Sequence, residues 1–539
     1  MIAADIRPAQ TEVPASVVIF DAAGDGALAE PGGPIFTIYT LKDLPPGSFK
    51  AHNRQVVTLG APSHTPMSES CLTGGKVLLR FRVANYASLR DEQELSLVAL
   101  DEHGDLAVRS PTREDLSVLP AVAIYGGNAS GKSNLLQALR FMANAVEESH
   151  QLWKPGAHIR RNNFRFDEKS HINPTEFSVD IALDGVRYEY GFSLDDHEIK
   201  SEWLYSFTRQ QRLVRRLIFE RAGPQGSSIR FGESLKGRKR AIADLVRPNS
   251  LYLSTAAANN HEQLTRIYRW FESDISYVAA GHPHQNPIAT LHELSEHGRK
   301  SVLSLLNYAD FGITDVRHEQ QPFNAEIRER FLALIKVMDP ENAADESVEV
   351  QGPPKIDFVH RVNEREYTLS ADHESSGTRG WFALLGPVVN ALSLGKLLVV
   401  DELNAFLHPL LASELLKLFQ SPTYNKLGAQ ILFNTHDVTL MSPLADARLR
   451  RDQIWLADRA SDGATELHPL TRYRVREGLD NVFRGYMLGR YRGVPIFDDH
   501  FLERALRGHT GSHVAPQSEQ APETDSGKPA GQEALPRLL

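Results

Sequence analysis

An apolar run, Val118-Leu119-Pro120-Ala121-Val122-Ala123-Ile124-Tyr125, leads directly into Gly126-Gly127-Asn128-Ala129-Ser130-Gly131-Lys132-Ser133, and a helical pattern follows. No other feature restricts the fold of this chain as strongly. The run suits a parallel strand covered on both faces. From Asn134 to Glu148, the residues Leu135, Leu136, Leu139, Met142 and Val146 form one apolar stripe at helical spacing. A G-x-x-x-x-G-K-[ST] match between such a strand and such a helix predicts a phosphate-cradling turn. Its glycines let the backbone wrap so that N–H groups and the helix start face a phosphate chain. The expected binding set is Gly126, Asn128, Ala129, Ser130, Gly131, Lys132, Ser133 and Asn134, with Lys132 reaching the β- and γ-phosphates and Ser133 a Mg²⁺ ion.

Three further segments belong to the same chemistry. Leu397-Leu398-Val399-Val400 is an apolar strand ending in Asp401-Glu402, and on a parallel sheet such strand ends meet at the ligand-binding edge. Asp401 is expected in the Mg²⁺ shell, and Glu402 beside it is expected to polarise an attacking water. Gln430-Ile431-Leu432-Phe433-Asn434-Thr435-His436-Asp437 is a second such strand, and its His436 suits either a γ-phosphate sensor or a purely structural side chain. Ser375-Ser376-Gly377 opens the apolar helix around Trp381 to Leu392, with Ser375 as its expected N-cap. That helix start is equally consistent with anion binding and with an ordinary capped terminus.

In this order the four motifs resemble the ATP-binding-cassette class of P-loop ATPases, in particular the bacterial AAA-type branch of abortive-infection proteins. Similar heads occur in recombination and chromosome-structure ATPases and in the overcoming-lysogenization-defect nucleases. The resemblance spans roughly Val77 to Asp499. It implies an α/β P-loop NTPase fold with a mostly helical insertion between Walker A and Walker B. It gives Lys132 and Ser133 the Walker A role and Asp401 and Glu402 the Walker B role, makes Ser375, Ser376 and Gly377 the signature loop, and makes His436 the switch histidine. It also implies ATP and Mg²⁺ as cofactors, ATP hydrolysis, and a homodimer or higher homo-oligomer in which each signature loop completes the site of another copy. Segments similar to the family's opening strand and C-terminal end are Arg82–Leu89 and Gly489–Pro495. His408 stands where transporter-type cassettes carry an Asp, and Asn162, Asn163 and Asp167 mark only the stretch in which a Q-loop residue belongs.

The order of segments sets the expected domains. Residues 1–75, rich in Pro, Gly, Ala and Ser, read as a poorly ordered extension, or as a segment before a true start near Met67; within them Val17–Phe20 and Ile35–Tyr39 are candidate strands. Residues 76–205 form a first lobe with Walker A, 206–345 a mostly helical insertion, 346–507 a second lobe, and 508–539 a disordered tail. The interval of about 270 residues between the Walker motifs exceeds what ATP chemistry needs. Within it Arg209, Arg212, Arg215, Arg216, Arg221, Arg230, Lys236, Arg238, Lys239 and Arg240 form a basic strip. It suits nucleic acid or an acidic partner, and equally a solvated, partly ion-paired face.

Composition narrows the remaining classes. With 68 acidic residues against 59 basic ones, the net charge of -9 argues against coating nucleic acid over the whole surface. One cysteine, Cys71, excludes an intramolecular disulfide. No apolar run approaches the roughly 20 residues of a membrane span, and Met1–Gln10 has no apolar core of a secretory signal, so a cytoplasmic location with no membrane partner is expected. About 100 residues follow His436, little room for an appended nuclease, which favours an ATP-driven sensor or scaffold of an anti-phage system controlling a separately encoded effector. The alternatives are a recombination-type ATPase acting on DNA and a nucleotide-binding regulatory module with little turnover.

Overall fold

Strand Ala121–Gly126 is buried throughout, which accounts for its unbroken apolar sequence. Val122 and Ile124 join one hydrophobic core, whereas Ala121, Ala123 and Tyr125 join another. The strand sits inside a six-stranded sheet ordered Ile275–Val278, Leu397–Val400, Gln430–Asn434, Ala121–Gly126, Ile454–Arg459 and Thr465–Pro469. All neighbours in it are parallel except the last pair. The loop strand and the acidic strand are therefore not adjacent, because Gln430–Asn434 runs between them.

The computed structural model describes residues 17–21, 36–38, 75–101, 116–209, 213–279, 287–295, 298–309, 312–322, 329, 350–405, 407–442, 447–475 and 481–493. All of them belong to one unit, Met1–Val494. The expectations for 508–539 and for most of 1–75 fall outside the described residues. Strands Val17–Asp21 and Phe36–Ile38 are described; the first pairs in parallel with Val350–Val362 and antiparallel with the second.

Helix Lys132–Glu148 lies between the parallel sheet and a seven-stranded antiparallel sheet. Its Leu136, Leu139, Met142 and Val146 share a core with Phe81 and Val83, with Phe177, Val179 and Ile181, and with Tyr190 and Phe192. Burying each such side chain contributes about 1.5–3 kcal/mol before entropy is subtracted. The Thr175–Leu183 and Val186–Leu194 strands meet at Asp184-Gly185, where φ values of 51° and 80° fit a two-residue hairpin turn.

The expected mostly helical insertion over 206–345 holds over 239–308, apart from strand Ile275–Val278, and requires correction on either side of that stretch. Its boundary falls inside strand Ile199–Arg209, and strands Leu213–Ala222 and Ile229–Phe231 extend the antiparallel sheet. Apolar residues at 213, 214, 217 and 218 mimic helical spacing. The structure resolves this with a bulge: Leu204 pairs Phe219 and Tyr205 pairs Leu217, so Ile218 is the extra residue and both Ile218 and Phe219 are buried. α-Helices begin at Lys239 and run to Tyr308, interrupted by strand Ile275–Val278 of the parallel sheet, and strand Ile313–Pro322 follows against Val350–Val362.

Helix Ser376–Leu394 is built around a proline. Pro387 cannot donate a backbone N–H, which leaves a carbonyl one turn earlier unpaired. Thr290, on the crossing helix Ile288–Ser295, donates its hydroxyl to Phe382 O (2.7 Å) and Ala383 O (3.1 Å), and it accepts from Gly386 N at 2.9 Å. A Cβ on Gly386 would lie 2.4 Å from the Thr290 nitrogen, so only glycine lets the helices approach this closely.

Candidate functional site

The loop after Ala121–Gly126 is held from behind by residues that the motif does not contain. Thr465 donates its hydroxyl to Ser130 O at 2.9 Å, and Ser88 Oγ lies 2.7 Å from Thr465 Oγ1 and accepts from Asn134 Nδ2 at 2.7 Å. Gly131 sits at φ 93° against this support, and a Cβ there would fall 2.0 Å from Thr465 Oγ1 and 2.5 Å from Ser88 Oγ. Gly131→Ala should therefore cost about 1–3 kcal/mol and distort the loop. Thermal unfolding and phosphate-ligand binding should both weaken; a variant as stable and as competent as wild type would contradict the geometry.

At the open side, helix Lys132–Glu148 starts with no side-chain cap and no acid in its first turn, so its N–H groups and dipole favour an anion. Lys132 donates its ammonium to Gly126 O (2.9 Å) and Gly127 O (2.8 Å), folding back over the loop. Burial lowers its pKa to about 8, against the opposing pull of the Glu402 and Asp401 carboxylates. An anion in the loop would reverse that penalty. Ser130 Oγ is buried with no partner among the described residues.

Ser133 Oγ donates to Asp401 Oδ1 at 2.7 Å, which brings together the hydroxyl and the carboxylate that the sequence singled out for a metal ion. Asn434 lies between them. Its Nδ2 donates to Asp401 Oδ1 at 2.5 Å and to Ser133 Oγ at 3.2 Å, while its Oδ1 accepts from Glu402 N. Glu402 occupies the left-handed region at φ 60°, a strained conformation of the kind stored at functional sites. One fully buried amide thus fixes the carboxylate of Asp401 and the backbone of Glu402. A polyphosphate with a divalent cation fits this cradle: the helix start is uncapped, a buried hydroxyl lacks a partner, and hard oxygen donors converge.

His436 follows the same strand and is exposed. Its backbone N–H donates to Asn404 Oδ1, which also accepts from Thr435 Oγ1, both at 2.9 Å. Burial and then the Lys132 charge hold its imidazole below the usual range, with Glu402 opposing. A neutral ring at physiological pH results. Asn434, Asn404, Ser88 and Thr465 were not marked by the sequence. Only the polar end of the Asn434 strand hinted at the first.

Other predicted residues lie elsewhere. Ser375 caps helix Ser376–Leu394 by accepting from Thr378 N at 3.1 Å. Ser375 and Ser376 are exposed, and no hydrogen bond among the described residues joins Ser375, Ser376 or Gly377 to the loop of the same copy. His408 caps helix Pro409–Gln420 through Nδ1. Asn163 and Asp167 serve local turns, Asp167 as the N-cap of Glu168–Ile172. Of the basic strip, Arg212 and the Arg209 side chain lie outside the described residues, and the rest divides between one buried arginine and an exposed, partly ion-paired face. Arg221 is fully buried among backbone carbonyls and lies 3.8 Å from Glu202, Arg215 pairs with Glu189 and covers Tyr205, and Arg230 pairs with Glu220. Arg216, Lys236, Arg238 and Arg240 remain exposed.

No helix among the described residues is long and apolar enough to cross a membrane. No curated protein sequence matches the chain. Among solved structures the chain is similar to the SMC head domain from Thermotoga maritima, at 12% identity and a TM-score of 0.34, over 74% of this chain and 99% of that one. It is also similar to the Smc head domain with an extended coiled coil bound to the C-terminal domain of ScpA derived from Pyrococcus furiosus, at 12% identity and a TM-score of 0.31, over 74% and 97%. The family model described as "AAA domain, putative AbiEii toxin, Type IV TA system" matches residues 121–442. That span covers more than half of the chain and contains the loop, Ser375–Gly377, Asp401, Glu402, Asn434 and His436, so the chain belongs to this family of AAA-type P-loop ATPases.

Proposed function

We propose that this chain binds and hydrolyses ATP with Mg²⁺ and uses the γ-phosphate to close two copies on one another. The observation that carries the reading is the convergence of Lys132, Ser133, Asp401 and Asn434 at one sheet edge, with Glu402 strained beside them. Loop N–H groups and Lys132 hold the phosphate chain, and Ser133 and Asp401 hold the ion. Bound there, Mg²⁺ supplies charge neutralisation of the phosphate oxygens. Glu402 orients a water and accepts its proton, while neutral His436 contributes a hydrogen bond to the γ-phosphate end.

The capped but exposed start of helix Ser376–Leu394 supports a trans arrangement. It offers N–H groups and a dipole to an anion, and no hydrogen bond among the described residues ties it to the loop of its own copy. In the proposed dimer it meets the γ-phosphate held by the other copy, and hydrolysis releases it. Sedimentation of the full chain with Glu402→Gln and ATP·Mg²⁺ should show dimers, and Ser376→Arg added to that chain should return them to monomers. Dimers unaffected by Ser376→Arg would overturn the trans arrangement.

The family description, an AAA domain of an AbiEii-type toxin system, favours a role in abortive infection, with the ATP-driven closure controlling a separately encoded effector. The recombination-type reading has less behind it, because Glu189, Glu202 and Glu220 take up three arginines of the basic strip.

A further inference from the structure

A cavity of about 300 Å³ lies against the far half of the helix that carries Lys132 and Ser133. Phe141, Asn144, Ala145 and Glu148 of that helix form one wall, Trp153 and Ala157–Arg160 form the other, and Asn249 also lines it. Phe141 is nine residues beyond Lys132, roughly 13 Å along the helix, so this space is separate from the phosphate loop. Its volume lies at the lower end of the about 300–1,000 Å³ typical of small-molecule sites.

Its chemistry is graded from inside to mouth. Asn249 is 1% exposed and donates Nδ2 to Lys154 O at 2.8 Å and to Ala157 O at 3.4 Å. Two carbonyl acceptors fix the amide orientation, so the atom left without a partner among the described residues is Oδ1, an acceptor. A buried acceptor without a donor is destabilising, and a ligand N–H would relieve that cost. The floor is rigid, since Arg247 donates to Ser149 O and His150 O, and Arg221 donates to Ser250 O. Phe141, Trp153 and Ile159 supply flat or apolar walls. At the mouth, His158 and Arg160 are exposed.

We propose that this cavity binds a purine mononucleotide, with a base N–H donated to Asn249 Oδ1, the ring against Phe141 and Trp153, and the phosphate at Arg160 and His158. The cavity wall and the phosphate loop lie on the same helix, Lys132–Glu148. The test is equilibrium dialysis of the full chain with AMP and GMP, and separately with adenosine and guanosine. Saturable mononucleotide binding should persist in Lys132→Ala. It should weaken at least tenfold in Arg160→Glu while nucleoside affinity stays the same. It should vanish in Ala157→Trp, which fills the space. Arg160 is exposed, so its variant reports even if Ala157→Trp unfolds. No saturable binding at millimolar ligand, loss of binding in Lys132→Ala, indifference to Arg160→Glu, or full binding by a folded Ala157→Trp would each overturn the proposal.

Discussion

Glu402→Gln should reduce steady-state phosphate release by about 10²–10⁴-fold, the usual contribution of a positioned general base, while leaving ATP affinity close to wild type. The substitution is nearly isosteric. It keeps the left-handed backbone at position 402 and the Glu402 N–H bond to Asn434, and it leaves Asp401 and Ser133 in place. What disappears is the proton acceptor next to the loop. Binding energy stored in the closed state would then not be released, so the ATP-bound dimer should live longer. A variant that turns over ATP within a few-fold of wild type would assign the proton to another group and remove Glu402 from the chemistry.

Lys132→Ala should act on the other side of the cycle. The ammonium lies at hydrogen-bond distance from two loop carbonyls, and in the proposed function it turns from them onto a phosphate. Removing a charge-assisted contact costs about 1.5–3 kcal/mol, roughly ten- to a hundredfold in ATP affinity. Calorimetric titration of ATP·Mg²⁺ measures this directly. The loop itself should stay folded, because its support comes from Thr465, Ser88 and Asn134. Protection of cells against phage, where the chain provides it, should be lost with this variant. Unchanged ATP affinity would refute the loop assignment and the proposed function together.

Much of the site was legible in the order of residues because its parts are local. The strand, loop and helix around Gly126–Ser133 are contiguous, so the G-x-x-x-x-G-K-[ST] pattern and both of its flanks can be read from neighbouring residues. The N-cap role of Ser375 was legible for the same reason, since a cap bonds three residues ahead. The run from Arg209 to Ala222 was misread because its spacing at 213, 214, 217 and 218 suits a helix; a bulge and the partner strand Ile199–Arg209 override it. Propensity is settled locally, but pairing is not. Within the basic strip the sequence shows charge but not burial: Arg221 is fully buried, while Arg215 and Arg230 lie in the partly ion-paired face that was the other expectation.

Asn434 marks the division most sharply. The sequence alone determined that a candidate phosphate loop, two acids and a polar strand end exist, since each follows from neighbours within a few residues. Only the tertiary structure decided that Gln430–Asn434 enters the sheet between Leu397–Val400 and Ala121–Gly126, and so placed one amide against Ser133, Asp401 and Glu402 at once. Alternation along a strand says which faces are buried, but strand order depends on contacts between segments some 300 residues apart.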